Sequence, residues 1–467
     1  MAQTNELDIL VIGTGPAGQR AAIQASKFGK RAAVVERREF VGGVCVNTGT
    51  IPSKTLREAV LYFSGVRERV FYGAACQVKS QITMGDLLAR CNMVIAREID
   101  VIRSQLMRNG VQLHPGEARF VDPHTLEIRS AGGTLSRLRA AVVVIATGSV
   151  PAVPKGVEVD GERLITSDDI LKLKVLPKTM VVVGGTVVGL EYASMFAALG
   201  CKVTVIDLRK RLLDFVDAEI MEDLVYQLRQ AGCTFRLGEE VDSVQVREGE
   251  GPGAITHLKS GKQIISDVVL FSSGRVGNTA NLNLEAAGLT ADARGRIKVD
   301  EQYRTPVPHI FAVGDVIGFP ALASTSMEQG RLAACHAFGR PAQSVPEHFP
   351  YGIYSIPEIS MVGRTEDQLT GAGVPYEFGV ARYVEIARGQ ILGDYTGMLK
   401  ILFHRETRKI LGVHAIGTGA TELIHIGQAV MALGGAIDYF VAAVFNYPTF
   451  AECYKVAALD GINKLET

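Results

Sequence analysis

The sequence predicts an α/β fold built from two repeated strand–helix–strand units, followed by a separate α+β unit at the C-terminal end. Three observations support this prediction. A glycine-rich turn between an apolar strand and a helical segment occurs twice, both turns have the same spacing to a later acidic residue, and the pattern changes after position 350. With 467 residues, the chain is long enough for about three domains that each bury a core.

The first unit begins with the apolar strand and glycine-rich turn LDILVIGTGPAG (residues 7–18), and its second strand is RAAVVE (31–36). In such a unit the first glycine permits a tight turn, the second lets the backbone approach a pyrophosphate, and the third lets the helix pack on the strand. The helix N-terminus offers free N–H groups to the phosphates, and the acid accepts from a ribose hydroxyl. The predicted dinucleotide-binding residues are Gly13, Gly15, Gly18 and Glu36.

The second unit repeats this pattern in KTMVVVGGTVVG (178–189) and CKVTVID (201–207). Gly13 to Glu36 and Gly184 to Asp207 are both separated by 23 positions, so the two units share one register. Thr186 stands where the middle glycine is expected, which places a Cβ atom near the pyrophosphate. We therefore predict two Rossmann-like dinucleotide-binding domains, the second using Gly184, Gly189 and Asp207.

Further segments complete the predicted domains. AAVVVIATGS (140–149) and HIFAVGDVIG (309–318) are apolar strands that end in turns of small residues, and proline-marked connectors lie at 149–156 and 348–359. After residue 350, strand-like runs precede helical segments, which indicates an α+β unit. The predicted domains are 1–150 (first nucleotide-binding domain, first part), 151–275 (second nucleotide-binding domain), 276–347 (first domain, second part) and 348–467 (C-terminal interface domain).

Composition excludes several classes of function. Lys plus Arg and Asp plus Glu both total 49, with no run of five like charges, so neither nucleic acid nor an anionic membrane is an expected partner. No stretch of eighteen apolar residues and no basic leader occurs, which predicts a soluble, cytoplasmic protein. The seven cysteines are scattered without a zinc-type cluster, so we expect mostly buried thiols and no metal site. His404, His414 and His425 are expected to be structural.

A further motif is the segment GGVCVNTGTIPSK (42–54), which resembles a redox-active disulfide site with only one of its two cysteines. Together these motifs resemble the flavoprotein disulfide reductase superfamily, which has the fold of glutathione reductase and dihydrolipoamide dehydrogenase, over essentially the whole chain. The motifs YGIYSIPEIS, KILFHRET, ELIHIGQA and FNYPTFAE are similar to those of the transhydrogenase branch of this superfamily. The resemblance implies an FAD-dependent oxidoreductase that forms a homodimer, or a higher homo-oligomer, through its C-terminal domain.

The resemblance also implies roles for individual residues. Thr147 and Gly148 would close over FAD held by the first unit, and Asp315 would bind its ribityl chain. The second unit would hold the nicotinamide nucleotide, and Gly274 is expected among the cofactor-binding residues. Lys54 would lie near flavin N5, paired with Glu191, where a cation favours an electron-rich flavin. The alternatives are that Lys54 is a solvated surface lysine and that Glu191 is a carboxylate on the exposed face of a helix.

Two departures from the superfamily pattern concern its thiol chemistry. The superfamily has two cysteines five residues apart near the flavin; here the farther one is Cys45 and the nearer one is replaced by Thr50. In the HPTxxE motif, Tyr447 replaces the acid/base histidine while Glu452 remains. Tyrosine, with an unperturbed pKa near 10, is a poor base at neutral pH. Tyr447 either packs over the nicotinamide from a neighbouring subunit or lies in the core, and Cys45 is expected to be a packing residue.

These losses predict the reaction. Hydride transfer between nicotinamide and flavin needs ring alignment and no thiol, whereas a dithiol relay is no longer possible. The sequence therefore predicts reversible hydride transfer between NADPH and NAD⁺ by a ping-pong mechanism through flavin N5, with NAD(H) and NADP(H) as substrates. The alternatives are an NAD(P)H:quinone or dye reductase or an oxidase, and a non-catalytic FAD-binding subunit of a larger complex.

The segment VTVIDLRKRLL (203–213) bears on the choice of nucleotide. Asp207 would accept from the 2′-hydroxyl of NAD and repel the 2′-phosphate of NADP. The basic cluster that starts at Arg209 lies within reach of the same ribose, and a guanidinium–phosphate contact is worth roughly 1.5–3 kcal/mol. We therefore predict that Arg209 binds the 2′-phosphate; the alternative is a solvated loop cation.

Overall fold

The computed structural model describes residues 6–66, 69–73, 79, 81–154, 156–247, 253–344 and 348–465. Its α-helices are α1 (Pro16–Lys27), α2 (Gly43–Asn47), α3 (Thr50–Ser64), α4 (Arg69–Tyr72), α5 (Met84–Arg108), α6 (Val187–Ala198), α7 (Ala218–Gln230), α8 (Ala323–Ala337), α9 (Glu366–Gly371), α10 (Ala387–Leu392), α11 (Ala420–Ala432), α12 (Asp438–Ala442) and α13 (Glu452–Asn463).

Some strands in the first two thirds of the chain are separated by these helices and others follow one another directly, and the strands of the last third form one antiparallel sheet. The strands are β1 (Leu7–Ile12), β2 (Ala32–Glu36), β3 (Gln112–Pro115), β4 (Glu117–Asp122), β5 (Thr125–Arg129), β6 (Leu135–Ile145), β7 (Ser149–Pro151), β8 (Leu164–Thr166), β9 (Thr179–Val183), β10 (Lys202–Asp207), β11 (Thr234–Leu237), β12 (Val241–Val246), β13 (Ala254–Leu258), β14 (Gln263–Ser266), β15 (Val268–Phe271), β16 (Arg275–Gly277), β17 (Ile310–Ala312), β18 (Tyr351–Ile353), β19 (Ile359–Gly363), β20 (Tyr376–Arg382), β21 (Met398–His404) and β22 (Ile410–Ile416).

The first sheet is parallel at its centre, with β2 and β6 on either side of β1, β3 outside β2 and β17 outside β6. Its central strands read as continuous apolar runs because both faces are covered, as parallel sheets require. The long β6 also forms an antiparallel meander with β5 and β4. Helices α1 and α8 pack closely: a Cβ added at Gly330 would lie 2.0 Å from the carbonyl oxygen of Ala17.

The second sheet repeats this plan with the parallel order β11-β10-β9-β15-β8 and a separate antiparallel meander, β12-β13-β14. A small antiparallel ladder between β7 and β16 pairs the chain entering this domain with the chain leaving it, opposing Arg275 to Pro151. The two places where the chain passes from one domain to the other therefore lie side by side, next to the carboxyl ends of the strands of both parallel sheets. In open α/β sheets, ligands bind at this edge.

The C-terminal unit is a five-stranded antiparallel sheet of order β18-β19-β22-β21-β20, with α11 and α13 packed on it. A Cβ added at Gly379 of β20 would lie 1.8 Å from the carbonyl oxygen of Ala457, so α13 lies directly on the sheet. The predicted α/β fold, with two repeated units and a C-terminal α+β unit, is confirmed. Among the described residues, no helix combines the length and apolar character needed to cross a bilayer.

Candidate active site

The first cleft lies at the carboxyl edge of the first sheet and has an empty volume of about 1140 Å³. Eight of the predicted residues line it: Gly13, Gly15, Glu36, Cys45, Thr50, Thr147, Gly148 and Asp315. Gly18 lies beneath the turn instead, where a Cβ atom would be 1.9 Å from the carbonyl oxygen of Gly13. Its role is therefore to let the helix approach the strand.

The turn between β1 and α1 is shaped to admit a ligand. Gly13 has φ of 104°, in the left-handed region that favours glycine, and a Cβ there would lie 2.5 Å from the carbonyl oxygen of Ala146. At Gly15 no protein atom lies within 4 Å of an added Cβ, so the space above it is open. Glu36, 6% exposed, accepts from the backbone N–H groups of Thr14 and Arg38, each at 3.0 Å. These bonds hold its carboxylate at the rim of the cleft.

A polar network that the sequence analysis missed links Asp315 to the second domain. The hydroxyl of Ser149 donates to Asp315 Oδ2 at 2.6 Å and accepts from Arg275 Nε at 2.7 Å. A second guanidinium N–H of Arg275 donates to the Ser149 carbonyl at 2.9 Å, and the guanidinium lies 3.8 Å from Asp168. The position of Arg275 directly after Gly274 was the available signal, but the β7–β16 ladder that brings it to Ser149 is a tertiary feature.

The second cleft lies between the two nucleotide-binding domains and the C-terminal unit, and Lys54, Glu191, Thr50 and Asp315 are among its lining residues. Lys54 Nζ donates to both carboxylate oxygens of Glu191, at 2.9 and 2.8 Å. Glu191 Oε1 also accepts from the backbone N–H of Tyr354 at 2.8 Å, and Lys54 Nζ lies 4.8 Å from the centre of the Tyr354 ring. Tyr354 is a further residue that the sequence analysis missed.

Burial decides between the alternatives for this pair. Glu191 is only 3% exposed, although it lies on a helix, so the surface carboxylate is wrong. The Lys54 side chain is 27% exposed and its ammonium is paired, so the freely solvated lysine is wrong as well. A buried carboxylate with a fixed cation and a backbone donor is a preorganised arrangement of charge. The cation is presented to the cleft next to Thr50.

Cys45 lies in the middle of the short helix α2 and Thr50 is the first residue of α3, and both line the first cleft. Cys45 is half-buried and forms no disulfide. The other cysteines among the described residues are buried, and they form no disulfide either. Burial raises the pKa of the Cys45 thiol, and a hydrogen bond with Thr50 only partly opposes this effect. The thiol is therefore protonated at neutral pH. Thr50 borders both clefts, so it stands between the two ligand spaces.

The second glycine turn matches the first in its backbone. Gly184 has φ of 102°, and a Cβ there would lie 2.5 Å from the Ser272 carbonyl oxygen. A Cβ at Gly189 would lie 2.3 Å from the Gly184 carbonyl oxygen, so α6 is held close to β9. Gly274, with φ of 113°, accepts from the Ala152 N–H at 2.9 Å.

Asp207 and Arg209 form one unit beside this turn. Arg209 donates from Nε to Oδ1 of Asp207 at 2.9 Å and from a terminal N–H to Oδ2 at 2.8 Å. Asp207 Oδ2 also accepts from the Gly185 N–H at 2.7 Å. Burial opposes ionisation, but these hydrogen bonds lower the pKa of Asp207 overall. Arg209 is therefore ion-paired although its side chain is 45% exposed, and its guanidinium is held beside the carboxylate that the motif assigns to the ribose.

Tyr447 and Glu452, the two predicted site residues of the C-terminal unit, lie outside both clefts. Tyr447 is 69% exposed, so core packing within this chain is wrong. Glu452 begins α13, and its buried Oε2 has no hydrogen-bond partner among the described residues. Neither residue lines the first or second cleft of its own chain.

His414 is fully buried and contacts the Arg364 carbonyl at 2.9 Å, whereas His404 and His425 make local contacts.

Comparison with known proteins agrees with this geometry. Residues 7–330 match the family described as pyridine nucleotide-disulphide oxidoreductase, and residues 349–458 match its dimerisation domain. The chain belongs to the pyridine nucleotide-disulphide oxidoreductase family. The predicted flavoprotein oxidoreductase class is thereby confirmed, and the family implies a flavin and nicotinamide nucleotides as ligands.

Relatives within this family are similar along the whole chain. A soluble pyridine nucleotide transhydrogenase of Mycobacterium tuberculosis (strain ATCC 25177 / H37Ra) is 58% identical over 461 residues, covering 98% of each chain. That of Colwellia psychrerythraea is 45% identical over 469 residues, covering 100% of each. The predicted resemblance to the transhydrogenase branch is confirmed.

Solved structures of this family superimpose well. The HOCl-induced flavoprotein disulfide reductase RclA from Escherichia coli has a TM-score of 0.85 at 26% identity, covering 97% of this chain and 99% of its own. LpdA from Mycobacterium tuberculosis has a TM-score of 0.88 at 26% identity, with the same coverage.

Proposed function

We propose that the chain catalyses reversible hydride transfer between NADPH and NAD⁺ by a ping-pong mechanism, with FAD bound in the first cleft and no redox-active disulfide. The two nicotinamide nucleotides bind in turn at the second domain, with their nicotinamide ends directed into the second cleft. FAD bound there would supply, at its N5 atom, the chemistry that takes a hydride from one nicotinamide and gives it to another. Support comes from the residues that line the two clefts and from the transhydrogenase relatives.

The first cleft fits FAD in its shape and its donors. The open space over Gly15 lets the backbone approach a pyrophosphate, and the N-terminus of α1 has no side-chain cap competing for its N–H groups. Glu36 is fixed at the end of β2, where the family motif places a ribose. Asp315, oriented by Ser149, is the residue that would hold the ribityl chain.

Lys54 and Glu191 supply charge at the junction of the two clefts. The Lys54 ammonium stabilises negative charge that develops nearby during hydride transfer, and Glu191 fixes its position. Because the Tyr354 N–H and Lys54 both donate to Glu191, the carboxylate is satisfied without water. The pair is preorganised, so no side chain has to move as charge develops.

The observation that carries the proposal is Thr50 between the two clefts. A threonine hydroxyl cannot form a disulfide with Cys45, and the raised pKa of Cys45 keeps its thiol protonated at neutral pH. Electrons entering from a nicotinamide therefore have no thiol outlet. A second nicotinamide, bound in the same cleft after the first product leaves, is the proposed acceptor.

Asp207 and Arg209 give the site a means of binding both nucleotides. We propose that the Asp207 carboxylate accepts from the 2′-hydroxyl of NAD(H), with Arg209 holding it in place. With NADP(H), the Arg209 guanidinium, whose side chain is 45% exposed, turns from Asp207 to the 2′-phosphate. Gly184, Gly189 and Gly274 keep the nearby backbone free of side chains.

Tyr447 and Glu452 are proposed to act in a homodimer. Both lie in the dimerisation domain, outside the clefts of their own chain. The exposed Tyr447 ring would pack over the nicotinamide bound to the partner subunit. Glu452, at the start of α13, would hold the segment of Tyr447 in place from within its own chain, since its Oε2 is buried there.

Steady-state and anaerobic kinetics test this function. We expect NADPH to bleach the flavin absorbance without oxygen, and NAD⁺, added after removal of NADP⁺, to restore it. Initial rates with NADPH and a thionicotinamide analogue of NAD⁺ should give the parallel double-reciprocal lines of a ping-pong mechanism.

The same assay separates the alternative functions. Turnover with quinone or oxygen that exceeds turnover with the thionicotinamide nucleotide would indicate a reductase or oxidase instead. Flavin that NADPH fails to bleach would indicate a non-catalytic FAD-binding subunit. Protein that takes up no FAD at all would overturn the proposal for the first cleft.

A further inference from the structure

The two glycine turns differ at one position in a way that affects how tightly each holds its dinucleotide. Gly15 and Thr186 occupy the same place before α1 and α6 and have nearly the same backbone conformation, with φ/ψ of −64°/177° and −80°/173°. The difference between the turns therefore lies in the Thr186 side chain. At Gly15 the corresponding space is open.

The Thr186 hydroxyl has two partners. It accepts from the N–H of Gly189, in the first turn of α6, at 3.3 Å, and it lies 2.6 Å from the hydroxyl of Ser272. The first-turn N–H groups of a helix are the donors that a phosphate would otherwise receive. Thr186 thus occupies one such donor with its own oxygen.

Ser272 is the second half of a hydroxyl pair that the first unit lacks. Ser272 follows β15 and is 6% exposed, and its carbonyl oxygen covers Gly184. In the first unit the residue in this relation to Gly13 is Ala146, which follows β6. The second unit therefore has two hydroxyls, Thr186 and Ser272, where the first has none.

We infer that the Thr186–Ser272 hydroxyl pair weakens pyrophosphate binding by the second unit, so that nicotinamide nucleotides exchange there while FAD is retained by the first unit. This inference rests on the proposed function, because a ping-pong enzyme must release one nucleotide before it binds the next. Val187 and Val188, which directly follow Thr186, line the second cleft, so the capped end of α6 borders the cleft that is proposed to take the nicotinamide end of the nucleotide. Thr186 and Ser272 are positioning residues and take no part in hydride transfer.

Binding of oxidised nucleotides to FAD-loaded protein tests the inference without turnover. Isothermal titration calorimetry of Thr186→Gly should show NAD⁺ and NADP⁺ binding about tenfold tighter, equivalent to about 1.4 kcal/mol for each. Glycine is tolerated at this cap position, so the variant should fold. Thr186→Ser keeps the hydroxyl and should bind as the parent does, whereas Ser272→Ala should tighten both nucleotides a few-fold because Thr186 can then turn toward phosphate.

Fragments identify the part of the nucleotide that senses Thr186. ADP-ribose, which contains the pyrophosphate, should bind more tightly to Thr186→Gly, whereas adenosine 2′-monophosphate should bind equally to variant and parent. Unchanged or weaker dinucleotide binding by Thr186→Gly would overturn the inference. Tightening by Thr186→Ser equal to that of Thr186→Gly would also overturn it, because side-chain bulk and not the hydroxyl pair would then be responsible.

The reciprocal exchange provides an independent readout in the first unit. Gly15→Thr with Ala146→Ser introduces the pair into the FAD turn, where an added Cβ at Gly15 meets no protein atom. FAD should dissociate at least tenfold faster from this variant, and retention at the parent rate would contradict the inference. Parent protein that binds nucleotides but performs no transhydrogenation would refute the proposed function alone, since these binding differences would persist.

Discussion

Lys54 Nζ lies 2.8 Å from Glu191 Oε2, although the two residues are 137 positions apart and come from different domains. The pair joins α3 of the first nucleotide-binding domain to α6 of the second. Glu191 is almost completely buried, so removing the cation leaves a carboxylate without its charge partner. The contact is therefore expected to have a measurable effect on hydride transfer.

Lys54→Met should slow flavin reduction by NADPH by about a hundredfold, because a positioned charge is lost where negative charge develops. Glu191→Gln keeps an oxygen acceptor for the Tyr354 N–H and should slow flavin reduction by about tenfold. Stopped-flow absorbance measures both rates. The control, Tyr354→Phe, keeps the backbone donor and the ring and should react as the parent does. Lys54→Met that reduces its flavin within twofold of the parent rate would rule out this role.

Cys45→Ser should leave transhydrogenation within a few-fold of the parent rate, because the thiol is protonated and takes no part in hydride transfer. The parent should reduce neither glutathione disulfide nor lipoamide. Since burial raises the pKa of Cys45, its reaction with iodoacetamide should be slower than that of a free thiol at pH 7 and accelerate with rising pH. A hundredfold loss of transhydrogenation in Cys45→Ser would return the thiol to the mechanism.

Arg209→Ala should weaken NADPH binding by about ten- to hundredfold, with a much smaller effect on NADH, because only NADPH has the 2′-phosphate. Asp207→Asn should do the reverse while keeping an acceptor for the Gly185 N–H. The concentration dependence of flavin reduction measures both affinities. Lys210→Ala is the matched control for loss of a neighbouring cation. Equal losses for both nucleotides in Arg209→Ala would disprove the phosphate contact.

Val444→Asp should dissociate the homodimer and lower activity. Val444 is 94% exposed in the single chain, beside Tyr447 in the dimerisation domain, so a partner subunit is expected to cover it. Val175→Asp changes an equally apolar residue, 75% exposed, outside this domain and should leave the dimer intact. Light scattering measures the mass of each variant. A fully active monomeric parent would refute the predicted dimer.

A cluster of three carboxylates around the buried Lys400 joins the second nucleotide-binding domain to the C-terminal sheet. Lys400, 0% exposed, donates to Asp217 at 3.1 Å, to Glu219 at 3.0 Å and to Glu366. Burial opposes ionisation of Asp217, but the charges of His414 and Lys400 lower its pKa overall. Its contribution to stability is therefore present above the unfolded pKa, about 3.9, and is lost as the pH falls through the native value.

Lys400→Met should lower the free energy of unfolding at pH 7 by about 3–5 kcal/mol, because three carboxylates remain without their cation. This deficit should shrink toward pH 4, where protonation relieves their repulsion. Lys259→Met breaks an exposed pair with Glu240 and should change stability by less than about 1 kcal/mol. Urea unfolding across this pH range measures both variants, and a deficit that stays constant with pH would contradict the charge-based explanation.

The sequence by itself determined the repeated architecture and the absence of a second cysteine at position 50. Gly13 and Gly184 were predictable because a tight turn against the neighbouring strand admits no Cβ, a local requirement that the glycine pattern reveals. The replacement of the second cysteine by Thr50 was equally predictable, because the sequence alone shows that this side chain has no sulfur atom. Glu36 and Asp207 followed from the shared register of the two units.

Only the tertiary structure decided which distant side chains meet. Lys54 reaches Glu191, and Arg275 reaches Ser149 across 126 positions, because domain docking and the β7–β16 ladder bring them together. Sequence patterns report local periodicity and carry no such distances. Tyr447 shows the same limit: its ring could have packed in the core, but the packing of the C-terminal unit leaves it at the surface of the single chain.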